Sequence, residues 1–206
     1  MEVLEKNRLE IVQEYISKGM DCPRYRELVH QLAEIGKTTG DEQSEAMINY
    51  TKLNDRRMTR WDKTFKIPED IQQKLQALDK ELMFLVITES WCGDAAASLP
   101  VVNKIAETSP NISLKVVLRD ESPELIDAFL TNGARSIPKV IILNEANNEI
   151  IGEWGPRPSN ATQMVADFKE EHGKLTAEFK QDLQVWYNKN KGQNILEDIL
   201  ELLALE

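Results

Sequence analysis

Cys92 is the side chain of this sequence that is best placed to do covalent chemistry. It lies in residues 88–95 (TESWCGDA), between an apolar run over residues 82–87 and a segment with apolar residues at helical spacing. This order predicts a buried strand, a short turn and a helix, with Cys92 at the helix N-terminus. Backbone N–H groups and the helix dipole stabilise a thiolate there, and the thiolate is the nucleophilic form of cysteine. The chemistry expected is attack on a disulfide, by a thiol whose pKa is moderately depressed.

Three features around this thiol resemble the thioredoxin family. The tripeptide Trp91-Cys92-Gly93 after a buried strand is similar to the active-site turn of that family. Pro100 stands where its members carry a helix-kinking proline, and residues 133–139 (GARSIPK) resemble its cis-proline loop. The resemblance covers roughly residues 65–172. It implies an α/β fold with a thioredoxin-like core, which is a central mixed sheet flanked by helices.

The sequence departs from the dithiol members of that family after the active-site cysteine. Ala95 stands where they carry a second cysteine, so an intra-motif disulfide cannot form. Val86 stands where related reductases often hold a buried acid that serves the second thiol. Together these changes resemble a monothiol, bacterial-type branch of the family. A mixed disulfide on Cys92 would then be released by an outside thiol or by Cys22, which is otherwise a bystander.

The resemblance also implies a substrate site beside Cys92. Backbone groups of Ile137, next to a cis peptide, would pair with an extended substrate. Trp91 would shield the sulfur, and Trp154 and Arg157 would form a groove wall in which Arg157 anchors a carboxylate. The substrate-binding residues implied in this way are Trp91, Gly93, Asp94, Ile137, Pro138 and Arg157.

Asp94 and the two histidines are interpreted without a catalytic role. For Asp94, we favour stabilisation of the first helical turn over an acid–base role, since a carboxylate near a helix N-terminus is stabilising. His30 and His172 lack the spacing of metal ligands, so no metal site is expected.

Helical patterns flank the predicted core on both sides. Apolar residues at helical spacing indicate helices over about residues 2–17, 23–35, 41–66, 178–191 and 195–205. The last of these has a wide apolar stripe, which we expect to dock on the core of the same chain. We therefore predict three regions packed as one unit: an N-terminal helical extension (1–63), a thioredoxin-like core (64–175) and a C-terminal helical extension (176–206).

A basic stretch ends the N-terminal extension. Residues 52–66 concentrate Arg56, Arg57, Arg60 and Lys63 on one predicted helix. We interpret this stretch as a solvated helix face of an acidic protein. The alternative is an anion or partner site.

Composition limits the classes of function. The chain has 206 residues, a hydrophobic fraction of 41% and a net charge of −10. This charge argues against general nucleic-acid binding. No apolar run approaches the roughly 20 residues of a membrane helix, and the first residues do not resemble a secretory signal. Two distant cysteines do not make a disulfide framework, so the expected location is the cytoplasm.

The leading hypothesis is a monothiol protein that exchanges thiols with protein or small-molecule mixed disulfides. Cys92 would be the nucleophile and a low-molecular-weight thiol the co-substrate, with no bound cofactor. The alternative is a redox-inactive binding or scaffold module, in which Ala95 marks lost catalysis. A glutathione-transferase-like activity is disfavoured, because such enzymes place one helical domain after the core.

Overall fold

The computed structural model describes the backbone of residues 2–205 and the side chains of residues 8–205. Its helices are α1 (Glu2–Lys18), α2 (Cys22–Glu34), α3 (Glu45–Thr64), α4 (Glu69–Gln76), α5 (Ala95–Thr108), α6 (Pro123–Ala128), α7 (Ser159–His172), α8 (Ala177–Asn190) and α9 (Gln193–Leu203). Its strands are β1 (Leu82–Thr88), β2 (Ile112–Leu118), β3 (Lys139–Asn144) and β4 (Glu149–Trp154). Among the helices of residues 2–205, none is both long and apolar enough to cross a membrane.

The four strands form one mixed sheet in the order β2-β1-β3-β4. Strand β1 pairs parallel with β2 and antiparallel with β3, and β3 and β4 form an antiparallel hairpin. All seven residues of β1 are buried, and its six apolar residues alternate between two hydrophobic clusters on opposite faces of the sheet. Helices cover both faces. This architecture confirms the predicted α/β fold class.

The N-terminal helices are part of the core. The largest buried side chains of α2 and α3 are Tyr25, Met58 and Trp61, and they lie in the same cluster as α5. Burial of one large apolar side chain contributes about 1.5–3 kcal/mol, so these helices stabilise the sheet substantially. The chain between α1 and α2 also bridges to the edge of β2, where Met20 and Val116 exchange backbone hydrogen bonds of 3.0 and 2.8 Å.

The C-terminal helix α9 docks on the core of its own chain, as expected. Its apolar stripe is buried against α5, α7 and β4, and consists of Ile195, Leu196, Ile199, Leu200 and Leu203. Also on α9, Asp198 accepts hydrogen bonds from Trp154 Nε1 (3.0 Å), from the Ser159 backbone N–H (2.8 Å) and from Ser159 Oγ (2.7 Å). One carboxylate therefore connects β4, α7 and α9.

Two predicted helix starts differ from the structure. Helix α3 begins at Glu45 rather than near residue 41, because Ser44 caps it and accepts a hydrogen bond from the Met47 N–H. Helix α7 begins at Ser159, with Pro158 in the N-cap position. The sequence predicts Asn160 as the N-cap of this helix, because asparagine is a favoured capping residue, and this prediction is wrong. The Asn160 backbone N–H donates to Asn194 Oδ1 of α9, at 2.9 Å.

Candidate active site

Cys92 lies in the turn between β1 and α5, at the wall of a cavity of about 660 Å³. The thiol donates a hydrogen bond to the carbonyl oxygen of Ile137, with a distance of 3.4 Å between Sγ and O. The Ile137–Pro138 peptide is cis. The turn and the loop before β3, which are distant in sequence, thus meet at this sulfur.

The thiol is less acidic than the sequence predicted. Only 6% of Cys92 is exposed, and this burial raises the pKa of its thiol to about 12. The negative charge of Asp94 acts in the same direction. The N–H groups of Ala95 and Asp94 and the charge of Arg157 lower the pKa, but they do not compensate for the lost hydration. The predicted depression of the pKa is therefore wrong, because it considered the helix N-terminus without the burial.

Asp94 belongs to a buried polar network beside the thiol. One carboxylate oxygen is 2.7 Å from Nη2 of Arg157, and the other accepts a hydrogen bond of 3.1 Å from the hydroxyl of Tyr187. Burial raises the pKa of Asp94, while Arg157 and Tyr187 act in the opposite direction. Although Asp94 occupies the N-cap position of α5, its side chain makes no capping hydrogen bond. The carboxylate held by Arg157 is thus the protein's own.

A cluster of hydroxyl groups fixes the start of the active-site turn. Ser90 Oγ lies 2.8 Å from Thr51 Oγ1, 3.0 Å from Thr38 Oγ1 and 3.1 Å from Thr39 Oγ1. The Asn54 side chain donates to the Ser90 carbonyl at 2.9 Å. These groups are all buried, and each hydroxyl finds a partner, as buried polar groups require. Helix α3 and the loop before it therefore position the residues next to Cys92.

Both helical extensions contribute residues to the lining of the cavity, which the sequence did not predict. From α3 come Met47, Tyr50 and Arg57, and from α8 and the residue pair before it come Leu175, Ala177, Lys180, Gln181, Leu183 and Gln184. Arg57 is half-buried, whereas its neighbour Arg56 is exposed. The solvated-face interpretation of the basic stretch thus fits Arg56 but does not fit Arg57.

Of the two tryptophans predicted near the site, one lines the cavity. Trp91 is half-buried there, and the Arg119 guanidinium lies 4.7 Å from the centre of its ring. Trp154 does not line the cavity, because its Nε1 donates to Asp198 of α9 and its side chain is buried at that junction. The predicted groove wall is therefore wrong for Trp154 and is formed by α3 and α8 instead.

Cys22 lies away from this cavity. It is the first residue of α2, is buried, and lines a separate cavity of about 210 Å³ with Trp61 and Pro100. Both cysteines are free, and they belong to different buried clusters. Burial raises the pKa of the Cys22 thiol to about 12. The structure does not bring the two sulfurs together.

Gly155 holds the segment that carries Arg157 against the loop of Ile137 and Pro138. Its φ is +110°, a conformation that side chains disfavour. A Cβ at this position would lie 2.2 Å from the carbonyl oxygen of Pro138. Only glycine fits both conditions.

Within the described residues, no group of three or more His, Cys, Asp or Glu side chains could hold a metal ion.

Comparison with known proteins gives one family. A family model described as thioredoxin matches residues 40–169, which is more than half of the chain. A curated Streptomyces coelicolor protein that is named as a thioredoxin is 34% identical over 67 residues, which are 32% of this chain and 48% of that protein. The chain therefore spans about half the length of this relative.

Two solved structures have a similar fold. An HIV epitope-scaffold protein superimposes with a TM-score of 0.55 at 19% identity, covering 85% of this chain and 96% of its own. A Pseudomonas aeruginosa protein of unknown function superimposes with a TM-score of 0.54 at 17% identity, covering 84% of this chain and 95% of its own. At these identities the likeness concerns the fold alone.

Proposed function

Because the chain belongs to the thioredoxin family, we propose that it exchanges thiols with disulfides through Cys92 as a monothiol nucleophile. The observation that carries this proposal is the position of Cys92 in the wall of a cavity large enough for a ligand. Small-molecule sites commonly have volumes of about 300–1,000 Å³. Ala95, in the place of a second cysteine, supports the monothiol form.

The reaction has two exchange steps. The Cys92 thiolate attacks one sulfur of a disulfide, a new S–S bond to Cys92 forms, and the other sulfur leaves as a thiolate that takes up a proton. An external low-molecular-weight thiol then attacks the mixed disulfide and restores Cys92. The external thiol is the reductant, and it is consumed in a new disulfide with the released group. Cys22 has no part in this cycle.

The high thiol pKa makes the reaction slow at neutral pH and steeply dependent on pH. At pH values below the pKa, the thiolate fraction rises about tenfold for each unit by which the pH increases. A thiolate of high pKa is the stronger nucleophile, with a Brønsted coefficient of about 0.4–0.5, and this offsets part of its scarcity. We therefore expect exchange to accelerate continuously from neutral to alkaline pH, without the plateau near pH 8.5 of an ordinary thiol.

The same burial favours the second candidate, a redox-inactive binding module. A thiol that is only 6% exposed and protonated at rest is also what a structural cysteine would be. In this case the cavity would bind a ligand without reacting with it. The two functions differ in whether a disulfide forms on Cys92.

Turnover of hydroxyethyl disulfide in the presence of glutathione separates them. We expect catalysis by the wild type and by Cys22→Ser, no catalysis by Cys92→Ser, and a glutathione-sized mass increase on Cys92 in the intact wild-type protein. A wild type that neither turns over nor gains this mass, even at alkaline pH, would establish the binding module. If Cys22→Ser and Cys92→Ser lost turnover to the same extent, Cys22 would instead be the resolving thiol.

A further inference from the structure

Arg57 is a cation at the active-site cavity without an anionic partner among the described residues. Its guanidinium is half-buried, and its one protein acceptor in that range is the Asn54 side-chain oxygen, at 3.4 Å. Its Nη1 would be 3.8 Å from a Cβ placed on Gly93, so it faces the turn next to Cys92. Five N–H donors are fixed on a guanidinium, and most of them therefore lack a protein acceptor here.

The cavity is positive although the protein is strongly acidic. Its charged lining residues are Arg57, Lys180, Arg157 and Asp94, of which the last two pair with each other. Two positive charges remain, in a chain with a net charge of −10. Burial and the like charge of Arg60 lower the pKa of Arg57, and among the described residues no carboxylate pairs with it to compensate its charge. A bound anion would provide that compensation.

The walls of the cavity favour a small ligand. Residues of both α3 and α8 line it, and Cys92 lies in its wall with little exposure. A disulfide on a folded protein would have to bring its own backbone between these helices. A flexible molecule about as large as a peptide of a few residues fits the cavity volume and brings no folded protein between the helices.

We propose that the substrate of Cys92 is a low-molecular-weight disulfide that carries a carboxylate, and that Arg57 binds this carboxylate beside the reacting sulfurs. This inference rests on the proposed function and names its substrate class. A guanidinium binds a carboxylate through two parallel hydrogen bonds, and this holds the disulfide in one orientation. Lys180 contributes charge, but its side chain is exposed and more strongly hydrated. The exchange itself balances as described above, with the carboxylate unchanged.

The test compares two disulfides that differ in charge, the dianionic dithiodipropionate and the neutral hydroxyethyl disulfide. The quantity measured is the ratio of their kcat/KM values. We expect the wild type to prefer the dianion about tenfold, as one charged hydrogen-bonded contact allows. Arg57→Gln should remove this preference, and Arg57→Lys should keep part of it. The control is Arg56→Gln, which removes an equal charge from the exposed neighbour and should leave the preference unchanged.

Binding separates a failure of this inference from a failure of the proposed function. If neither disulfide is turned over, calorimetric titration of the Cys92→Ser protein with each disulfide decides the question. Tighter binding of the dianion that Arg57→Gln abolishes supports the anion site even without exchange. Equal kcat/KM values, a preference that survives Arg57→Gln, or, without turnover, equal or absent binding of the two disulfides would overturn it.

Discussion

The pairing of Arg157 with Asp94 should control the stability of the active-site region. Their side chains are 24% and 12% exposed, so Arg157→Met would leave a carboxylate buried next to Tyr187 without its counter-charge. Removal of one partner of a buried ion pair costs about 3–5 kcal/mol. The partial exposure of Arg157 places the expected loss near the low end, at about 3 kcal/mol. For a chain of this length, that loss lowers Tm by about 6–12 °C.

The loss of stability in Arg157→Met should be larger at neutral pH than in acid. Burial already raises the pKa of Asp94 in the folded protein, and without Arg157 that pKa rises further. The folded state then holds the Asp94 proton more tightly than the unfolded state does. Stability therefore falls as pH rises from about 3.8 through the folded pKa, and the penalty is complete above it. Arg157→Met should be closest to wild type in acid and furthest from it at neutral pH.

Urea denaturation of a double-mutant cycle tests this reasoning. Asp94→Asn combined with Arg157→Met removes both charges, so the double variant should be more stable at neutral pH than Arg157→Met alone. The matched control is Arg135→Met, which breaks the exposed pair with Asp127 and should change stability little. A charge mechanism would be refuted if Arg157→Met lowered the free energy of unfolding equally at pH 5 and pH 8, and if Asp94→Asn did not reduce this loss.

Two further substitutions test the junctions around the site, both by chemical denaturation. Gly155→Ala should cost about 3 kcal/mol or more, because its Cβ would meet the Pro138 carbonyl oxygen, whereas Gly173→Ala, with φ of +76° and open space, should cost only about 1 kcal/mol. Equal losses in the two variants would contradict the packing argument. Asp198→Ala should cost about 2–4 kcal/mol, because the donors of Trp154 and Ser159 lose their acceptor. A loss no larger than that of Glu197→Ala, on the exposed side of α9, would contradict the connecting role of this carboxylate.

The sequence predicts the elements whose type depends on short runs of apolar and β-branched residues. Such residues over positions 112–118 predict β2 with the observed ends, and the apolar run over residues 82–87 predicts β1 within one residue. The apolar run over residues 139–143, the turn residues Asn147 and Asn148 and a second run over residues 149–154 predict the hairpin of β3 and β4. These features depend on neighbours in the chain, and periodicity records them directly.

The surroundings of Cys92 depend on distant parts of the chain, and periodicity does not record them. Tyr187 reaches Asp94 from ninety-three residues away, and nothing in the pattern of α8 distinguishes this tyrosine from an ordinary apolar position. Arg57 was included in a basic stretch, but its inward direction depends on how α3 packs against α5. The prediction of a depressed pKa for the Cys92 thiol was wrong for the same reason, since the burial of Cys92 depends on where the helical extensions pack.

Burial of the Cys92 sulfur should also protect it from oxidation. Peroxide oxidises a thiolate to a sulfenic acid, and a neighbouring thiol normally traps that product before further oxidation makes it irreversible. Ala95 gives this protein no such neighbour within the turn, and Cys22 lines a different cavity. A sulfur that stays protonated at rest is a poor target for peroxide, so the burial that slows this thiol also preserves it.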